Sequence, residues 1–128
     1  ERKYNNKINE FFIFVDYFKN VINDDNNILL CYKIDENVVG YIFFKYIKII
    51  YGVGYLIDGL FVEEAYRNKG IAKSLISEGL KRIDSIKKDF IEIKVMANNK
   101  IAMKLYESFG FEIFSIKLRK KLSSRGEH

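Results

Sequence analysis

Arg67, Gly70 and Ala72, spaced Arg67-x-x-Gly70-x-Ala72, stand between a strand-forming run and a run with helical spacing. Tyr55 to Val62 reads as the strand. From about Lys69, apolar Ile71, Leu75, Ile76, Leu80 and Ile83 recur at helical spacing and predict an amphipathic helix. The first N–H groups of a helix lack intrahelical partners and sit at the positive end of its dipole, so a phosphate placed there is bonded by main chain. Gly70 lets an anion approach and Ala72 is nearly as small. The N–H groups of Asn68, Lys69, Gly70, Ile71, Ala72 and Lys73 are therefore candidate anion ligands. On the residues alone, the turn serves equally well as ordinary packing and capping. It lacks the G-x-G-x-x-G of a dinucleotide fold, and no Gly-Lys-Ser/Thr follows as a P-loop requires.

Other side chains with chemical potential are few. Asp58 places a carboxylate inside an apolar strand, where it could accept a proton or simply be a hydrogen-bonded structural residue; the residues favour neither. Tyr106 offers a phenol that is either a proton donor or a ring packed on the core. Asn99 opens a helical run and is an ordinary cap candidate. Cys31 lies in an apolar strand and reads as a small core residue. No histidine or cysteine cluster suggests a metal, and none is expected.

Two segments together resemble the GNAT superfamily of N-acetyltransferases. Arg67, Gly70 and Ala72 match its pyrophosphate-binding turn, Arg/Gln-x-x-Gly-x-Gly/Ala, between a strand and a helix. Residues 98–113, NNKIAMKLYESFGFEI, resemble its later Asn-x-x-Ala-x-x-Leu-Tyr-Glu-x-x-Gly-Phe helix through Asn99, Ala102, Leu105, Tyr106, Glu107, Gly110 and Phe111. The resemblance spans roughly residues 28–118. It implies an acetyl-CoA-dependent N-acetyltransferase acting on a primary amine of a small molecule or peptide by direct attack. It further implies main-chain contacts to the cofactor from Leu60, Phe61 and Val62, with the strand beginning at Phe90 on the other side, and cofactor contacts from Asn99 and Ala102. Tyr106 falls where the family often presents a phenol to the cofactor sulfur, which makes it the expected acid. Asp58 replaces an acidic residue of diamine-acetylating relatives and is the second candidate, a base for the amine proton on the resemblance or a structural carboxylate, the two readings standing level. Lys94 stands where protein-N-terminal acetylating relatives tend to have glutamate, which weighs against that substrate class. Two other readings stay open: a non-catalytic acyl-CoA-binding or regulatory module, and, less favoured, a basic nucleic-acid-binding domain.

The elements that must position these residues alternate. Ile8, Phe11, Val15, Phe18 and Ile22 predict a helix from about Lys7 to Asn20, broken by Asn23-Asp24-Asp25-Asn26-Asn27. Ile28 to Ile34 and Val38 to Ile47 predict a hairpin closed through Asp35-Glu36-Asn37. Phe90 to Met96 is β-rich and Asn99 to Phe109 helical, with Gly110 placed as a left-handed residue after the helix. Phe111 to about Leu118 predicts a last strand. The fold class is α/β: a mixed, mostly antiparallel sheet with a central β-α-β crossover flanked by helices, shortened at both ends relative to the resemblance. An incomplete sheet would expose an edge, which a homodimer partner or a further N-terminal segment would cover.

With 128 residues, 48% hydrophobic and 16% aromatic, the chain suits one domain over residues 1–122 and is not disordered in composition. Residues 123–128 end in a lone histidine and read as a tag remnant. No run approaches the roughly 18 apolar residues of a membrane span, no leader is evident, and Cys31 has no partner, so a cytoplasmic protein is expected. The net charge of +5 comes from scattered residues and a cluster at Lys117, Arg119, Lys120 and Lys121, read as a solvated face and tail rather than a nucleic-acid groove.

Overall fold

A computed structural model describes residues 26–123 and the backbone of residues 9–13. The chain divides into two compact units, Glu1–Val95 and Met96–His128.

The first unit is a five-stranded sheet with one long helix. Strands β1 (Asn9–Ile13), β2 (Ile28–Ile34), β3 (Asn37–Ile49), β4 (Gly52–Val62) and β5 (Phe90–Ile93) lie side by side in chain order. The first four pair antiparallel, and β4 pairs parallel with β5. The β2–β3 turn is tight, with Asp35 left-handed at φ 56, a conformation its short polar side chain tolerates. Between β4 and β5 the chain runs through helix α1 (Ile71–Arg82), which presents Ile71, Leu75, Ile76 and Gly79 to the core, with Ile83 just beyond. Leu30, Ile42, Phe44, Tyr55, Leu75, Ile76 and Ile83 are completely buried there. A Cβ at Gly79 would run into the Phe44 ring, so the absent side chain lets the helix settle on β3. Lys88 closes the helix, its Nζ donating to the carbonyls of Ile83 (2.7 Å) and Ile86 (3.0 Å).

The second unit contains α2 (Lys100–Glu107). Asn99 caps it by accepting the Ala102 N–H at 3.1 Å.

Two expectations are corrected. Residues 9–13 form a strand rather than the middle of a helix over Lys7 to Asn20. The Phe11-Phe12-Ile13 run has high β propensity, and β2 supplies a hydrogen-bonding edge along its full length, from Asn9 opposite Ile34 to Ile13 opposite Leu30. The remainder of that expected helix lies outside the described residues. At the other end, residues 111–123 form no regular element, although Phe111 to Leu118 has a strand pattern. A strand requires a partner backbone, and among the described residues of its unit there is none. Ile113, Phe114, Ile116 and Leu118 are exposed.

Candidate functional site

The strand–turn–helix junction in the first unit is built from main chain. After β4, a single 3-10 turn (Glu64–Tyr66) leads to Arg67, then Asn68 at φ 64 and Gly70 at φ 81. Two left-handed residues so close together reverse the chain and point it into α1. Gly70 is the N-cap residue, and its carbonyl accepts the Ser74 N–H at 3.0 Å. No side chain caps the helix and its first turn carries no acid. The residues near its start are instead the exposed Lys69 and Lys73. A helix start ordinarily carries acidic or hydroxyl residues; here the first N–H groups have no side-chain cap and the nearby charges are basic. A Cβ built on Gly70 meets no atom within 4 Å, so the space in front of the turn is open.

Beside the turn, β4 outruns its parallel neighbour. The β4–β5 ladder ends with Ile57 opposite Ile93, while β4 continues to Val62 against β3. Residues 58–62 thus have one edge without a strand partner among the described residues. At the point of divergence the β3–β4 register slips: Phe44 opposes Ile57, Phe43 opposes Gly59, and Asp58 is the extra residue of a bulge. Gly59 was a sequence signal for this, because an isolated glycine within a strand often marks a bulge.

The direction of the exposed backbone follows from the ladder. Glu63 N–H donates to Val39 O at 2.8 Å. Hydrogen bonding alternates along an antiparallel pair, so Phe61 faces β3 through its main chain, whereas Leu60 and Val62 turn theirs to the open edge. Leu60 and Val62 turn their main chain to the side β5 has left, whereas Phe61 turns its main chain to β3 and has an exposed ring, tilted against Tyr41 at 6.0 Å between centroids.

Arg67 does not point away from the protein. Its Nε–H donates to Val62 O at 2.8 Å and its guanidinium lies 5.9 Å from the centre of the Phe61 ring. Nothing in the local sequence signals this bond. Asp58 is exposed and makes no hydrogen bond or ion pair with the described residues.

Asp58, Leu60, Phe61 and Val62 thus lie on β4 and residues 67–73 on the turn and helix start that follow, with Arg67 touching Val62 and Phe61. Asn99, Ala102 and Tyr106 belong to the second unit. There the Asn99 side chain and the Ala102 N–H are engaged with each other. Tyr106 is 5% exposed, and burial pushes its hydroxyl from 10.0 up to about 12. Cys31 is buried in β2 and its thiol is pushed up to about 11 by the same cause, which removes it as a nucleophile at neutral pH. Among the described residues no cluster of histidine, cysteine, aspartate or glutamate could hold a metal, and no helix is long and apolar enough to cross a membrane.

Comparison with known proteins bears on this geometry. The model of the acetyltransferase (GNAT) family matches residues 3–111. The L-amino acid N-acetyltransferase AaaT of Escherichia coli is 36% identical over 56 residues, covering 43% of this chain and 35% of that protein, so the match spans about a third of the relative's length. A transcriptional regulator from Bacillus halodurans superposes with a TM-score of 0.70 at 22% identity, over 84% of this chain and 74% of the other. An aminoglycoside acetyltransferase from a soil metagenomic sample gives 0.68 at 16% identity, over the same shares of 84% and 74%. Arabidopsis thaliana NAA60, in complex with a bisubstrate analogue, gives 0.64 at 25% identity, over 78% and 69%. The mixed sheet with its β-α-β crossover is the fold these proteins share.

Proposed function

The chain belongs to the acetyltransferase (GNAT) family, and from that premise we propose that it is an acetyl-CoA-dependent N-acetyltransferase whose acceptor, a primary amine of a small molecule or peptide, attacks directly. Members of this family use acetyl-CoA. The observation that carries the reading is the uncapped, basic, glycine-opened start of α1 lying beside the unpartnered edge of β4.

The residues fit that cofactor. The N–H groups from Asn68 to Lys73 suit its phosphates, with Lys69 and Lys73 adding positive charge. The outward main chain of Leu60 and the outward N–H of Val62, whose carbonyl Arg67 already fills, suit an amide-bearing arm, which pairs with a strand edge as a peptide would. When bound, acetyl-CoA supplies an acetyl group activated as a thioester. Asp58, at the bulge, is the group that takes the amine's proton, directly or through water. Tyr106 is the proton donor, and burial keeps its hydroxyl protonated throughout the neutral range.

AaaT is named for L-amino acids, which therefore enter a substrate panel with polyamines, aminoglycosides and peptides. The test is titration of CoA by calorimetry, followed by thiol release from acetyl-CoA across that panel. Saturable CoA binding and turnover with at least one amine are expected. Binding without turnover for any amine would return the chain to the acyl-CoA-binding or regulatory reading, and absence of binding would remove the site altogether.

A further inference from the structure

The geometry points to Arg67 as a positioning residue that acts through one directed hydrogen bond from its Nε–H to strand main chain rather than by bringing its charge to the cofactor; this rests on the cofactor reading above. Val62 is the last residue of β4, and its carbonyl lies on the edge that β5 has left. Without Arg67 that carbonyl would end the strand unpaired. The Nε–H fills it at 2.8 Å in a partly buried bond. The bond reaches back five residues, from the turn to the strand, and closes the loop Glu63–Tyr66 into a ring. Inside that ring the backbone is already tied by Tyr66 N–H to Glu63 O (2.8 Å) and Arg67 N–H to Glu64 O (3.3 Å). The left-handed Asn68 and Gly70 follow immediately. Arg67 thus fixes where the turn, and with it the N–H groups of α1, begins relative to the open edge of β4.

The atom that makes the bond decides which side chains could replace it. Glutamine carries an N–H donor, Nε2, at the same number of bonds from the backbone as arginine Nε, and carries no charge. Lysine keeps the charge, but its donor lies one atom further out on a strongly hydrated ammonium and it has none at the ε position. The charge itself is solvent-exposed, where an ionic contact contributes little.

The test compares Arg67→Gln, Arg67→Lys and Arg67→Ala in the whole chain. Calorimetric titration with CoA at two salt concentrations is expected to show less than about a threefold loss for Arg67→Gln and about a tenfold loss for Arg67→Lys and Arg67→Ala, the scale of one hydrogen bond. The salt dependence of the glutamine variant should match wild type. A second readout needs no ligand: backbone order parameters of Asn68, Lys69 and Gly70 by NMR should fall in the lysine and alanine variants and persist in glutamine. Retained affinity in Arg67→Lys with loss in Arg67→Gln would show that the charge meets the phosphates and overturn the latch. Equal affinity and equal order in all three would overturn it as well. Failure of the wild-type chain to bind CoA would count against the cofactor reading, and the order parameters would still decide the latch.

Discussion

Phe111 closes the end of α2 onto Tyr106 in two ways. Its N–H donates to the Tyr106 carbonyl at 3.1 Å, and the two rings meet edge to face with centroids 5.6 Å apart. Between them Gly110 takes φ 93 and donates its N–H to Glu107 O at 3.0 Å. This is the paired-bond ending that a left-handed glycine permits, with the apolar contact that commonly accompanies it. The glycine expected after the helix is therefore in place. Its consequence is chemical as well as structural, because the residues that end the helix also fix the ring whose hydroxyl is kept protonated by burial.

Tyr106→Phe removes that hydroxyl and keeps the ring. If Tyr106 is the donor, turnover should fall about a hundredfold with CoA affinity little changed. A separate signature appears at high pH. The folded chain holds the Tyr106 proton up to about 12, whereas the unfolded chain releases it near 10.0. Stability from this group is full below pH 10 and is lost as pH rises towards 12. The phenylalanine variant should lose less stability across that window in denaturant titrations. Equal losses would show that Tyr106 is not buried as described, and normal turnover would make it a packing residue.

Gly70→Ala separates backbone strain from ligand access. The added methyl meets no protein atom, so the stability cost should be only that of a left-handed alanine, about 1 kcal/mol. CoA affinity should fall by much more than this cost explains, about tenfold or beyond, because the methyl occupies the space an anion needs. Thermal melts and calorimetry on the same sample distinguish the two. Wild-type CoA affinity in the folded variant would exclude the α1 start as the phosphate site.

Much of the junction was legible in the sequence because its signals are local. A basic residue, two small residues and a change from strand to helical spacing all lie within Tyr55 to Ile83; the observed α1 falls inside that frame, and β4 ends at the expected Val62 but starts earlier, at Gly52. The errors came from non-local causes. Ile8, Phe11 and Val15 have helical spacing, but Phe11-Phe12-Ile13 goes to a strand because β2, some twenty residues away, offers it an edge. Phe111 to Leu118 has the pattern of a strand and no partner among the described residues of its unit. The Arg67–Val62 bond was equally invisible, since it depends on where β5 stops.

Gly79→Val tests how α1 is seated. Any Cβ at this position overlaps the Phe44 ring on β3, so the helix must shift or the ring must leave its rotamer. Overpacking of this kind typically costs about 1–3 kcal/mol, and the β-branched side chain adds a small penalty within a helix. A lower midpoint in urea is expected, with weaker CoA binding because the helix start moves with the helix. An unchanged midpoint would mean that the helix does not rest on Phe44.

Asp58→Asn asks whether the bulge serves chemistry or only shape. The carboxylate is exposed, without a hydrogen-bonded or charged partner among the described residues, and stands where β5 ends. Removing its charge at constant size should therefore leave stability within about 0.5 kcal/mol, as for surface substitutions away from special features. CoA binding should also be retained, because the outward main chain of Leu60 and Val62 is untouched. If Asp58 accepts the amine's proton or holds the ammonium, turnover with the best amine should fall about a hundredfold, and raising the pH should recover part of it as the amine deprotonates in solution. An asparagine variant that turns over at the normal rate across the pH range would leave the bulge a structural feature and place the proton acceptor elsewhere.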